Sequence, residues 1–423
     1  MASVGDLEQM PDGNRVPDGS DMQIPEESDV LSTGVPFNLA LTIERQSEID
    51  GILAKNEANP EKAAQELNAR IEGQWSDDYG ISYSHISGKE LPGLEIHGIA
   101  QKTALAGNHF PGANFEQADM FGSIFTATSM PELNARGANF NDSLFPMASI
   151  VGANLEDASA IDSVFTFADL TNTNVRGANF AATYLVGTKG LSGDADFTGA
   201  RSIVLGEAVE QSDAYERLRN VLATRFSSQN APRILENLDP VRIFRAVRHI
   251  NDILEVQRLE GAVIDDAVLT NARLTGQDMT GALWHRLHAR GAVLRASRAS
   301  GLVAIESSLQ GADLSNVWLP GAVVVRSVLR EANLSRANIA GTLIYETDLS
   351  KARLDNANID GAIVIGGRLP GLSDEDRSRL TVVDSIQQLP PPVATAVMKF
   401  AAISLAASRS NASLEAGNDE SVA

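Results

Sequence analysis

The chain has 423 residues, a formal net charge of −21 and no cysteine. Its length allows two or three ordinary domains with an ample core, and the missing cysteine excludes disulfides, thiolate catalysis and Cys-ligated zinc or iron. The acidity disfavours nonspecific nucleic-acid binding, but it is unevenly placed: residues 1–100 hold 19 acids against 6 bases, residues 258–369 hold 11 against 12.

Residues 1–35, with Pro11, Pro17 and Pro25 among scattered acids and Ser, carry too few apolar groups to offset the entropy of ordering. They predict a disordered acidic leader. No long apolar run follows Met1, so neither a secretory signal nor a membrane anchor is expected, and the product is expected to be soluble and cytoplasmic when synthesised. Residues 36–100 read as a helical N-terminal cap region. Asn59 can cap a helix that starts on Pro60, buries Ala63, Ala64, Leu67 and Ile71 on one face, and stops at Gly73.

From 101 to 205 the sequence repeats every five residues. Large or apolar centres run from Leu105 through Phe110, Phe115, Met120 and Phe125 to Leu185, and two places before each stands Ala, Ser or Thr with two exceptions. In extended backbone, residues two apart point the same way, so the centre and the small residue both face inward. Where the first position is bulky the centre is small, as in Leu133–Ala135, Leu287–Ala289 and Leu302–Ala304, which conserves interior volume. The units Ala113-Asn114-Phe115, Ala138-Asn139-Phe140, Ala153-Asn154-Leu155 and Ala178-Asn179-Phe180, each after Gly, resemble the pentapeptide-repeat family. That resemblance implies a right-handed quadrilateral β-helix with four pentads per coil.

Register fails near Gly187 to Gly206, with Ala195 and Phe197 restarting a pentad out of phase. Residues 206–257 read as a helical insert. Asp213 and Glu216 form a capping-box pattern, and Asp239-Pro240 opens a second amphipathic run with Ile243, Phe244, Val247, Ile250 and Leu254. Its Arg242, Arg245 and Arg248 form a basic helical face, read as solvated or as a site for an acidic partner, with Arg290 as a further candidate partner-binding residue.

A second repeat block spans 258–369, with centres from Ile264 to Leu369 and clear units at Ala312-Asp313-Leu314 and Ala332-Asn333-Leu334. The fold class expected is therefore mainly β, two quadrilateral β-helices with a helical N-terminal cap, a helical insert and C-terminal helices. Trp284 falls on a centre and is expected inside, with Ala304 one coil above giving it room. His285 and His288 beside it lack acids or Cys at ligand spacing, so no metal is expected.

Four pentads per coil place residues twenty apart on neighbouring strands, about 4.8 Å apart. One such column reads Glu116, Arg136, Glu156, Arg176 and another reads Asp266, Arg286, Glu306, Arg326, Glu346. Alternating signs favour self-pairing, and a slip by one pentad would break every pair.

Residues 370–410 read as a C-terminal helical cap, with a short helix from Ser373 to Leu380 and an apolar segment carrying Val397, Met398, Phe400, Ile403 and Leu405. This segment is too short to span a bilayer. It is read as a cap or oligomerisation helix, with peripheral membrane contact as the alternative and a homodimer compatible with either. Residues 411–423 read as a disordered tail.

No phosphate loop, dinucleotide fingerprint, HExxH or Cys nucleophile occurs, and a coil filled by its own side chains offers no cleft to shift a pKa. The chain is therefore expected to be non-catalytic, without cofactor, nucleic-acid ligand or small-molecule substrate. The function expected is a protein-interaction scaffold, including a bacterial effector secreted into a host cell. The alternative is a DNA mimic that binds type II topoisomerase, as the resemblance also implies. A mimic needs a continuous acidic stripe, which alternating columns do not supply.

Overall fold

The computed structural model describes residues 37–77, 79–186, 188, 190, 195–196, 200–202, 238–240, 243–245, 259–265, 267–366 and 379–398. Two helices come first. Asn38 caps α1 (Leu39–Lys55) and Asn59 caps α2 (Pro60–Glu72), their side-chain oxygens accepting from Leu41 N at 3.2 Å and Lys62 N at 3.0 Å. Gly73 ends α2, and Ala63, Ala64, Leu67 and Ile71 are buried as the spacing predicts. Together with Ile49, Ile52 and Leu53 of α1 they belong to one core with the interior of the first coil, so the helix pair closes that coil's open end.

The first coil starts earlier than residue 101. Parallel bridges join His85 to Ala104, Glu90 to His109, Glu95 to Asn114 and Ile99 to Asp119. Ile81, Ile86, Leu91, Ile96 and Ala100 fill its interior. The cap region is helical only through Glu72; the rest is β-helix. The step from Ile96 to Ala100 is four residues instead of five, which breaks the frame anchored at Leu105 and hides this coil from a fixed-period reading.

From Ala104 to Tyr184 bridges recur at a spacing of twenty. Phe125, Phe145 and Phe165 lie one above another inside, with ring centroids 4.6 and 4.5 Å apart and planes within 8° and 5° of parallel. The second residue after each centre turns the corner with positive φ, from Lys102 at 53° to Ala182 at 56°. The small position before each centre also has a bonding role. Ser143 Oγ donates to Met120 O at 2.9 Å and accepts from Ser123 N at 3.2 Å, and Ser123 and Ser163 repeat the pattern. Each hydroxyl ties one coil to the next, so Ser and Thr satisfy buried backbone groups where Ala only fits. Asp196 pairs with Asn179 after seventeen residues, which carries the shifted register expected near Ala195.

The remaining strands are β1 (Ala200–Ser202), β2 (Leu238–Pro240), β3 (Ile243–Arg245), β4 (Val263–Asp265), β5 (Leu283–His285), β6 (Val303–Ile305), β7 (Val323–Val325), β8 (Leu343–Tyr345), β9 (Ile363–Ile365) and β10 (Thr381–Val383). β1 pairs with β2, and β3 to β10 form one parallel sheet along a side of the second coil. Two expectations are overturned. The helix expected from Asp239-Pro240 is replaced by β2 and β3, because Ile243-Phe244-Arg245 stands twenty residues before Val263-Ile264-Asp265 and pairs with it in register. At the other end the repeat does not close at Leu369: β10 pairs with β9, Thr381 opposite Ile363, and Leu380 joins the second coil's core, while residues 373–378 of the short helix expected there are outside the described residues.

The two coils lie side by side and antiparallel. Gly281 touches Tyr184, Gly301 touches Val164, Gly321 touches Leu144 and Ile124, Gly341 touches Ile124, and Gly361 touches Ala104. As one number climbs by twenty the other falls by twenty. A shared apolar layer joins Ala106, Ala127, Met147 and Phe167 of the first coil to Val263, Leu283, Val303, Val323 and Leu343 of the second. These residues occupy outward positions that a lone β-helix would leave to water.

Candidate interaction surfaces

Pairing fixes which sides of each coil remain available. The first charge column lies on the side opposite the joint, two pentads round the coil. There Arg136 Nη1 lies 3.7 Å from Glu116 Oε1, and Arg176 pairs with Glu156. Beside it runs an asparagine column: Asn134 Nδ2 donates to Asn114 Oδ1 at 3.1 Å, Asn154 to Asn134 at 3.4 Å, and Asn174 to Asn154 at 2.9 Å. Its amides are turned toward one another, strand to strand.

The second column sits differently. Arg286, Glu306, Arg326 and Glu346 occupy the left-handed corner residues themselves, with φ of 53°, 49°, 48° and 47°. Arg326 Nε lies 2.9 Å from Glu346 Oε2; Asp266, the first rung, is outside the described residues. This corner follows the strands that face the joint, so the second column edges the apolar layer, unlike the first.

Arg245 does not lie on the helical face expected for it with Arg242 and Arg248. Arg245 is in strand β3, Arg290 is exposed on a free side of the second coil, and Arg242 and Arg248 are outside the described residues. Trp284 is buried, stacked in register with Ala304 as expected. Its Nε1 has no hydrogen-bond partner among the described residues.

Toward the C-terminus a helix spans 391–398. Val393, Ala394 and Val397 are buried in the apolar layer that joins the coils, with Ile386 and Leu389. Val397 therefore cannot face a membrane, while Met398 points outward at 42% exposure. Phe400, Ile403 and Leu405 are outside the described residues. No helix among the described residues is long and apolar enough to cross a membrane.

Sequence reasoning missed one seam of the joint. Ala104, Ile124, Leu144, Val164 and Ala340 form a buried apolar cluster there. Asp142 and Asp162 stand on the first coil, two residues before Leu144 and Val164; Arg298 and Trp318 stand on the second, three residues before Gly301 and Gly321. Burial and the Asp162 carboxylate push the Asp142 carboxyl above the usual carboxylate range, and Arg298 across the seam opposes them. The available signal was the column Ala104, Ile124, Leu144, Val164, Tyr184, apolar where the repeat is otherwise polar, matched by Gly261, Gly281, Gly301, Gly321, Gly341 and Gly361.

A model of the family described as pentapeptide repeats, in 8 copies, matches residues 148–187, 307–344 and 332–369. Among solved structures the chain is similar to HetL, a pentapeptide repeat protein involved in heterocyst differentiation regulation from the cyanobacterium Nostoc sp. strain PCC 7120. That match has 16% identity and a TM-score of 0.19, covering 70% of this chain and 94% of that one. It is similar to Rfr23, a pentapeptide repeat protein from the cyanobacterium Cyanothece 51142, at 16% identity and a TM-score of 0.21, over 28% of this chain and 82% of that one. It is also similar to full-length QnrB1, a plasmid-mediated fluoroquinolone resistance protein, at 13% identity and a TM-score of 0.10, over 75% of this chain and 98% of that one. No curated protein sequence gives a significant match.

Proposed function

Because its β-helical coils carry pentapeptide repeats, we propose that this protein is a non-catalytic interaction scaffold whose two coils act as one rigid body. The observation that carries this reading is the antiparallel joint. One side of each coil is given to fastening the pair, through the glycine column and the apolar layer, which holds the remaining sides at fixed positions for a partner. The interior supports it too, since from Leu105 to Leu185 and from Ile264 to Val364 the centres are filled by side chains of the coil itself.

Affinity capture with the full chain from bacterial and eukaryotic lysates tests this. The reading expects one discrete protein partner, retained by wild type and lost from a variant altered on a free side. Failure to retain any partner from either lysate would contradict it. The exposed columns alternate in sign, which does not favour a DNA mimic, so inhibition of gyrase supercoiling by the purified chain would replace the scaffold reading with that alternative. Capture from the eukaryotic lysate alone would extend the reading to an effector acting in a host cell.

A further inference from the structure

We propose that the acidic leader, residues 1–36, docks on the outer side of the second coil, where its carboxylates neutralise Arg273, Arg290 and Arg336. The contact lies within one chain, so it does not depend on any partner that the scaffold captures.

Parallel bridges join Arg273 to Val293, Val293 to Asp313, Asp313 to Asn333 and Asn333 to Arg353. They make one column on the side turned away from the joint, two pentads round the coil from β4 to β9. Arg295 stands on that side two residues after Val293. Arg290 precedes the corner that leads into it, its carbonyl accepting from Asn271 N at 2.8 Å, and Arg336 turns the corner that leads out, at φ of 59°. All four arginines are exposed. Elsewhere on the coils a cation is answered by an acid: Arg136 by Glu116, Arg176 by Glu156, Arg298 by Asp278, Arg326 by Glu346 and Lys351 by Glu331. Arg295 has Asp313 at 3.6 Å. Among the described residues Arg273, Arg290 and Arg336 have no such partner.

The charge of the chain is divided to match. Residues 282–341 hold 7 arginines against Glu306, Asp313 and Glu331, whereas the leader holds 8 acids against Arg15. Residues 37–186 hold 19 acids against 8 bases, so the helix pair and the first coil repel the leader. Like charges on neighbouring strands repel one another, and the guanidinium fork accepts a carboxylate in two parallel bonds; an acidic segment laid over the column relieves the first and makes the second. The leader can reach it. Phe37, where the leader ends, packs on Tyr83 at the start of the first coil, with ring centroids 5.1 Å apart. The joint sets Gly341 against Ile124 and Gly281 against Tyr184, so Arg336 and Arg273 stand about two and five coils from that start, roughly 10 and 24 Å along the axis. An extended chain of this length spans about 120 Å. Tethering also raises the leader's local concentration to about millimolar, which favours a contact made of exposed pairs.

The test uses the full chain with two nitroxide labels, for which introduced cysteines are the only attachment points because the chain has none of its own. Ser28→Cys with Thr275→Cys places one label among Glu26, Glu27 and Asp29 and the other two residues from Arg273. Ser28→Cys with Ser149→Cys reports instead on the first coil, from which the leader departs. Distances are read by pulsed electron paramagnetic resonance at about 0.01 and 1 M salt, between which the screening length falls from about 30 to about 3 Å. The 28–275 distance is expected to be shorter at low salt by about 10 Å or more, two coil spacings, while the 28–149 distance does not shorten. Arg273→Gln with Arg290→Gln and Arg336→Gln should abolish the shortening, and Arg136→Gln with Arg176→Gln, whose arginines are paired, should leave it. Equal shortening of both label pairs would show general compaction and overturn the proposal, as would a 28–275 distance that ignores salt or a shortening that survives the triple variant. A short distance lost on dilution with unlabelled protein would place the leader on a second copy and overturn a contact within one chain. Each of these failures leaves capture of a partner through another side of the scaffold intact.

Discussion

Gly321 of the second coil lies against Leu144 of the first so closely that a Cβ at Gly321 would stand 2.9 Å from Leu144 Cδ1. Gly341 is tighter against Ile124, at 2.6 Å to Cγ2. The glycine column is what lets the coils close, and its contribution can be separated from backbone strain. Gly321 has φ of 63°; Gly311 has φ of 65° with open space where a Cβ would stand. Gly311→Ala should cost about 1 to 2 kcal/mol, the penalty of the left-handed region. Gly321→Ala should cost about 1 to 3 kcal/mol more through overpacking, measured by denaturant unfolding.

The serine column makes a second prediction. Ser143→Ala removes the 2.9 Å bond to Met120 O and leaves Ser123 N with only its 3.1 Å turn bond to the same carbonyl. The loss should be about 1 kcal/mol. Ser143→Thr, the residue type found two coils away on either side at positions 103 and 183, keeps the hydroxyl and should lose less.

The two charge columns should respond oppositely to glycine. Arg326 sits at φ 48°, so Arg326→Gly relieves about 1 kcal/mol of left-handed strain while losing an exposed pair of about 0.2 to 1 kcal/mol. Its stability should barely change. Arg136 has no positive φ among the described corner residues, so Arg136→Gly loses its pair with no such relief and should be the less stable variant by about 1 kcal/mol. Arg136→Glu with Arg176→Glu should lower the melting temperature most at low salt, because screening weakens exposed pairs. Absence of any salt dependence would remove a register role for the column.

Asp142 supplies a pH prediction. Its folded carboxyl is raised by burial and by Asp162, so the stability it contributes is present below the unfolded carboxylate range and lost as pH rises through the folded value. Asp142→Asn removes that loss and also tolerates the left-handed φ of 57°. The variant should melt higher than wild type at pH 7, and the difference should vanish below about pH 3.9. A melting difference that is flat with pH would contradict this.

The architecture of each coil was legible in the sequence because one five-residue rule sets interior volume, turn and strand together, and a single frame runs from Leu105 to Leu185. The edges were not. The four-residue step from Ile96 to Ala100 conceals the first coil, and Ile243-Phe244-Arg245 satisfies a helical apolar spacing while in fact stacking under Val263-Ile264-Asp265. The joint was missed for a different reason. A pentad describes one coil, and Ile124 or Gly341 departs from it only when the chain is arranged in columns of twenty and outward apolar residues are followed as closely as outward charges. Arg245 likewise was placed on a helical face by the same spacing that the strand then overrode.

The antiparallel joint is tested most directly where the first coil begins and the second ends. Ser87 Oγ and Thr381 Oγ1 lie 2.8 Å apart although 294 residues separate them in sequence. The chain has no cysteine, so Ser87→Cys with Thr381→Cys creates the sole thiol pair. The account predicts a disulfide within one chain under mild oxidation, seen as a monomer on a non-reducing gel with residues 87 and 381 joined in the digest by mass spectrometry. Free thiols after oxidation, or disulfides only between chains, would contradict it.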